Sequence, residues 1–316
     1  MRRTRAALLA GAAALLLVAW PKRPRLRAIR ILRISRVVAD LARAEAFYRD
    51  ALGFHRAGKG RTDRGLLAAL GLADAEAEEV VMRLGAQTIA LVQFATLGRR
   101  YPPGSRSDDL WFQHLAIVVS DMDAAYAHLS RQSAAWQAIS EGGPQLLPPS
   151  NGRVRAFKFR DPDGHPLELI WFPPDQGRAV WHQAGGGSPF LGIDHSALSV
   201  ASTARSLRFY RSLGFKVSDR SWNHGPAQSR LDGLTGARVQ VTGLRPRADT
   251  GPGLELLGYH PPGSGSRSDA ANDLATDWVT MTVDGLRGAA LGTVRDPDGH
   301  RLVLVDQGAG STGLPA

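Results

Sequence analysis

The chain has 316 residues, 43% of them hydrophobic, and no cysteine. That is enough to bury about two domain-sized cores, and it excludes disulfides and thiolate metal sites. The formal charge of +10 looks like that of a nucleic-acid binder until it is located. Nine of the 39 basic residues and none of the 29 acidic ones fall in the first 33 positions. The remainder is close to neutral, so no basic face for nucleic acid is expected.

The N-terminal segment, residues 1–30, holds an apolar run from Ala6 to Trp20 with arginines before it and a denser basic cluster, Lys22 to Arg30, after it. The run is short for a bilayer span of about 20 residues but long enough for the core of a signal peptide. The reading is export or a membrane anchor, with membrane association through residues 6–20. A misassigned start would leave a cytoplasmic chain instead.

From Ile31 the chain repeats itself. A strand (31–38) leads to Asp40 as N-cap and a helix through Leu52, with Gly53 as its stop. Leu41, Ala44, Tyr48 and Leu52 recur at helical spacing, which places Phe47 and Tyr48 in a core. Strands follow at 80–84 and 88–94. A second unit opens with the strand HLAIVV at His114, then Asp121 as cap, a helix from Met122 to about Arg131 and a Gly/Pro-rich loop. It ends in the hairpin FRDPDGHPLELIWF, Phe159 to Phe172. Asp-Pro-Asp-Gly suits a type I turn, and the same turn returns in VRDPDGHRLVLV, Val294 to Val305. Strand alternation puts Glu168 in a row with Ile170 and Phe172, where the second copy has Val303. A carboxylate in an apolar row requires a cation or hydrogen bonds. A third unit opens with DHSALSV, carries a helix from about Thr203 to Leu213 and closes with a strand at 254–259. The fourth starts near Trp278 and has no room for a helix. In linear order the units give two modules over 31–174, a linker over 175–190, and two modules over 191–308.

The motifs VVADLARAEAFYRDALGF, HLAIVVSDMDAAYAHL, DHSALSVASTARSLRFYRSLGF and the two DPDGH hairpins resemble those of the vicinal oxygen chelate superfamily. It contains glyoxalase I, methylmalonyl-CoA epimerase, extradiol dioxygenases and the bleomycin-resistance proteins. The resemblance implies an α+β chain of four βαβββ modules, the fourth truncated, paired into two half-open barrels. It also implies a divalent metal held by a His from a module's first strand and a Glu from its last. Carried over position by position, these ligands are His114 and Glu168 in the second module and His195 and Glu255 in the third. The first module has Arg33 and Ala90 there, and the fourth has Trp278 and Val303. Pairing module two with three, and one with four, gathers one complete set and leaves one blank, which Arg33 could fill with its guanidinium.

Two imidazoles and two carboxylates suit one borderline divalent ion such as Zn, Ni, Co, Mn or Fe(II). With Glu168 or Glu255 as base, the reaction class is proton transfer on a small oxygenated substrate through an enediolate, as in an isomerase, epimerase or lyase. Two alternatives stand beside it. His114, His195 and either Glu could serve an Fe(II) extradiol dioxygenase, and a metal-free small-molecule binder would explain the vacant modules. Taken singly, each of the four residues reads as a core histidine or an edge carboxylate; it is their matching places in two modules that point to a site. His165 and His300, in the DPDGH turns, read as solvent-exposed turn residues. Arg155, Lys158, Arg160, Trp222, Asn223 and His224 read as solvated surface able to contact an acidic or aromatic substrate. The chain is expected to be a monomer or a homodimer.

Overall fold

The computed structural model describes residues 26–132, 136–183, 187–248, 250–263, 265, 270–286 and 289–308. The apolar segment Ala6–Trp20 lies outside them. Among the described residues no helix is long and apolar enough to cross a membrane.

Module one consists of β1 (Arg27–Val37), α1 (Leu41–Leu52), β2 (His55–Arg61), α2 (Arg64–Ala69), β3 (Ala77–Leu84) and β4 (Gln87–Phe94). Module two has β5 (Gln113–Val119), α3 (Met122–Ser130), the two-residue strands β6 (Gln137–Ala138) and β7 (Gln145–Leu146), β8 (Arg155–Arg160) and β9 (Pro166–Trp171). In module three are β10 (Phe190–Ser199), α4 (Thr203–Ser212), β11 (Lys216–His224), α5 (Pro226–Asp232), β12 (Arg238–Arg245) and β13 (Gly253–Tyr259). Among the described residues, module four has β14 (Asp277–Asp284), β15 (Leu291–Arg295) and β16 (Arg301–Asp306).

Each long helix starts where its cap dictates. The side chains of Asp40, Asp121 and Ser202 accept from backbone N–H groups of the first turns of α1, α3 and α4, satisfying donors the helix itself cannot. Gly53, at φ 71°, ends α1 in the left-handed conformation that glycine adopts without cost. The insertions β2–α2 and β11–α5 fall outside the elements expected from sequence. Their helices have six and seven residues, too short for a 3.6-residue period to register.

The strands form two sheets of mixed pairing. One runs β15-β16-β14-β1-β4-β3-β2; the other runs β11-β12-β13-β10-β5-β9-β8-β6, with β7 also on β8. Module one is therefore joined to module four through antiparallel β1 and β14, and module two to module three through antiparallel β5 and β10. The sequence halves 31–174 and 191–308 interleave in space. One face of each sheet packs with α1, α3 and α4 into a shared core that includes Ile34, Tyr48, Leu115, Leu169, Leu198, Tyr210, Met281 and Leu304. The other face of each sheet is free to carry a site.

The DPDGH turns correct the expectation of exposure. His165 and His300 are 0% and 1% exposed, because each turn docks under the helix of another module. Tyr48 of α1 donates to Asp161 at 3.0 Å, and His165 Nδ1 sits 2.9 Å from the same carboxylate. Tyr210 of α4 likewise donates to Asp296 at 3.2 Å, and His300 Nε2 reaches the Ser199 carbonyl. Arg36 locks the first of these clusters. Its guanidinium donates to Tyr48 and to the Pro166 carbonyl, each at 3.0 Å, and pairs with Asp277 at 3.2 Å. Modules one, two and four thus meet at one buried cation.

Candidate metal centre

Register alone brings the four candidate ligands together. Across β9, β5 and β10, Glu168 pairs with Ala116, which pairs with His195. Across β13, β10 and β5, Glu255 pairs with Ala197, which pairs with His114. Directly paired residues share a face, so the two rows are related by a local two-fold. An alanine in each row leaves room between the larger side chains. His114 Nε2 lies 3.2 Å from Glu168 Oε2, and His195 Nε2 lies 3.9 Å from Glu168 Oε2 and 3.5 Å from Glu255 Oε2. The imidazole centroids are 5.6 Å apart.

Ligand atoms of His114, Glu168 and His195 all lie within 4.8 Å of one another; Glu255 stands outside this trio and keeps 21% of its side chain exposed. Both ring nitrogens of His114 and Nε2 of His195 are buried without a hydrogen-bond partner. Unpaired buried nitrogens are costly, and a divalent ion would satisfy the two Nε2 atoms, one from each ring, at once. The residues therefore fit such an ion.

The two histidines differ in what stands behind them. Asp194 Oδ2 is 3.0 Å from His195 Nδ1, while its Oδ1 accepts from Trp181 Nε1 at 3.0 Å and Arg245 at 3.2 Å. Adjacent strand residues normally face opposite ways, but the β10–β5 register shifts between Ile193 and His195. Such a bulge re-aims side chains, and here it lets Asp194 reach its neighbour. Burial pushes the His114 pKa down to about 4. Burial would do the same to His195, but Glu255, Asp194 and Glu168 outweigh it and raise that group to about 9. Burial alone would raise Glu168, yet His114, Lys158 and His195 hold it at about 2; Glu255, where burial wins, is pushed up to about 7.

A cavity of about 540 Å³ opens over the ligands. Ile170, Phe172, Val241 and Leu257 supply apolar wall, and Lys158, Tyr259, Asn223 and Gln228 supply polar wall. Lys158 and Asn223, expected at the surface, are 3% and 8% exposed. Lys158 Nζ donates to Asp232 Oδ1 at 2.7 Å, a partner 74 residues away that no local pattern reveals. Arg155 is instead a partly exposed partner of Asp123, and Trp222 is 39% exposed.

Modules one and four superpose on this register with other contents. Trp278 pairs with Ser35, which pairs with Ala90, and Arg33 pairs with Thr280, which pairs with Val303. Arg33 is buried and reaches Glu79 at 3.5 Å. Leu66, Leu67 and Leu70, from α2 and its C-cap, pack on Val37, Ala90, Val92, Trp278 and Val303.

Paired βαβββ modules on two sheets, one of them with imidazoles and carboxylates on its open face, define a glyoxalase-like protein. Residues 30–169 match the Glyoxalase/Bleomycin resistance protein/Dioxygenase superfamily, and the chain belongs to that family. It is 30% identical over 138 residues to the uncharacterized protein YaeR of Escherichia coli strain K12, covering 91% of that protein and 43% of this chain. Glyoxalase I from Zea mays is similar in structure with a TM-score of 0.57 at 17% identity, over 88% of this chain and 92% of that one. A putative dioxygenase from Bacillus subtilis gives a TM-score of 0.54 at 12% identity, over 90% and 87%. At these identities the structural likeness speaks for the fold alone.

Proposed function

We propose that the chain is a metal-dependent enzyme of the vicinal oxygen chelate type, with one divalent ion held by His114, Glu168, His195 and Glu255. The observation that carries this reading is the convergence of two modules' ligands on one point, with Nε2 of His114 and Nε2 of His195 both turned to the carboxylates there. A divalent ion bound there would supply Lewis acidity to two neighbouring substrate oxygens. Glu255, outside the compact trio and partly open to the cavity, would take a proton from the carbon beside the substrate carbonyl and return it to the neighbouring carbon. Asp194 fixes the His195 ring so that Nε2 faces the site. The reaction class is isomerisation on a small oxygenated substrate; the same proton abstraction gives epimerisation where the proton returns to its own carbon, and elimination where a leaving group departs from the adjacent carbon with the electron pair.

Elemental analysis of the purified protein tests the reading. About one divalent ion per chain is expected, falling to near zero in His195→Ala; a metal content that survives that substitution refutes it. A second reading has its own support, because the compact trio is two histidines and one carboxylate, the ligand set of non-haem Fe(II) oxygenases. Oxygen consumption with catechols on the Fe(II)-loaded protein would move the assignment to ring cleavage, and its absence would retain proton transfer.

A further inference from the structure

The two-fold relation of the ligand rows fails at one place. Opposite Glu255 stands Gly243, but opposite Glu168, at the corresponding place on β8, stands Lys158. In the blank sheet the matching residue, opposite Val303, is Thr293. A lysine has thus been buried beside the candidate ligands where none of the related positions carries one. Its charge is neutralised by Asp232, which also accepts from Gln228 Nε2 at 2.7 Å. Tyr259 is 4% exposed, and its hydroxyl lies beside Asp232. Gln228 Oε1 is buried and has no partner.

We propose that Lys158 and Tyr259 form an oxyanion subsite next to the metal ligands and select small α-oxo or α-hydroxy carboxylates. This rests on the metal reading above. An ammonium carries three N–H donors, and Lys158 places one of them on Asp232. That leaves two N–H groups of Lys158, with the Tyr259 hydroxyl near them, for a ligand in the cavity. Buried donors of this kind are matched in native complexes by a ligand or by water. An α-oxygenated carboxylate has three oxygens close together. Two can chelate, and the third, the outer carboxylate oxygen, meets Lys158 and Tyr259. Charge balance agrees. Lys158, Arg178, Arg220 and Arg245 line the cavity against Glu168, Asp194, Asp219 and Glu255, with Asp232 behind them, so a divalent ion tips the total to positive.

The competing explanation is that Lys158 and Asp232 only fasten β8 to α5. Titrating Co(II)-loaded protein with two chelators separates the two, read by the cobalt visible spectrum. Oxalate has the third oxygen and acetohydroxamate lacks it. Lys158→Met is expected to weaken oxalate by about 10–100-fold, the range for a lost charge-assisted hydrogen bond, and to leave acetohydroxamate binding to the Co(II)-saturated variant unchanged. Tyr259→Phe removes a hydroxyl beside Asp232, which keeps Lys158 and Gln228 as donors, and is expected to weaken oxalate by about 3–10-fold; it carries the test if Lys158→Met does not fold. Equal weakening of both chelators, or unchanged oxalate binding in both variants, overturns the subsite while the metal reading stands. Failure to take up cobalt, or uptake that survives His195→Ala, overturns the metal reading and the subsite with it.

Discussion

Trp278 stands across β14 and β1 where His114 stands across β5 and β10, and Arg33, Val303 and Ala90 stand where His195, Glu168 and Glu255 do. The backbone of the two sheets is the same solution to the same pattern, yet one open face holds a polar cavity and the other is filled. The filling comes from α2. Between β2 and β3 it inserts leucines over Trp278 and Val303, whereas α5, between β11 and β12, presents Gln228 and Leu231 to the cavity and buries Asp232 behind it. What separates a site from a core on this scaffold is therefore the short inserted helix as much as the ligands. A face that loses its ligands keeps its register, and hydrophobic packing takes over the stabilisation they or their ion supplied.

The two sheets communicate through Arg36, and breaking that contact has the largest expected effect. Arg36 is 0% exposed and holds Asp277, Tyr48 and the Pro166 carbonyl. Arg36→Ala would take from Asp277 the guanidinium it pairs with, and from Tyr48 and the Pro166 carbonyl their donor, and the loss is expected at about 3–5 kcal/mol. The measurement is urea unfolding. Because the cluster touches neither open face, metal content per folded molecule should not change. A stable Arg36→Ala protein would mean that the two sheets hold together without the clamp.

The next effect distinguishes the faces themselves. Leu66→Ala removes side-chain volume from a filled face at a residue 1% exposed, and should cost about 2–5 kcal/mol with metal content intact. Leu231→Ala enlarges a cavity that is already open, and should cost about 1–2 kcal/mol. Comparable losses in both variants would contradict the division into core and site.

Much of this contrast is legible in sequence because the ligand positions are tied to rigid local signals. The first-strand position lies a fixed distance before the helix-capping Asp40, Asp121 or Ser202, and the last-strand position a fixed distance before a closing aromatic. With the family resemblance supplying which strands carry ligands, His114, His195, Glu168 and Glu255 could thus be named without knowing the sheet order, and the distribution of ligands over modules points to the pairing of two with three. Other features depend on distant partners. Lys158 in the alternating run RAFKFR looks like a solvated cation until Asp232 arrives from α5. His165 looks like a turn residue until Tyr48 and Arg36 close over Asp161. The leucines of α2 occupy too few residues to announce a helix, and nothing local says which face they cover.

Asp194 is the clearest case of information withheld by the backbone, and it gives the smallest of these effects. Strand alternation would turn it away from His195; only the bulge after Ile193 brings its carboxylate to Nδ1. The other imidazole has no such support, since Gln113, the residue before His114, donates to Ser196 and leaves His114 Nδ1 bare. If Asp194 orients His195 and strengthens it as a ligand, Asp194→Asn should weaken metal binding by about 10–100-fold, measured by competition with a chromogenic chelator. Gln113→Ala should leave metal affinity unchanged, because that side chain touches neither ring nitrogen. Equal losses in the two variants would show that both strands contribute only through packing. A loss confined to Asp194→Asn would show that the site, symmetric in its register, depends on one bulge for its firmer imidazole.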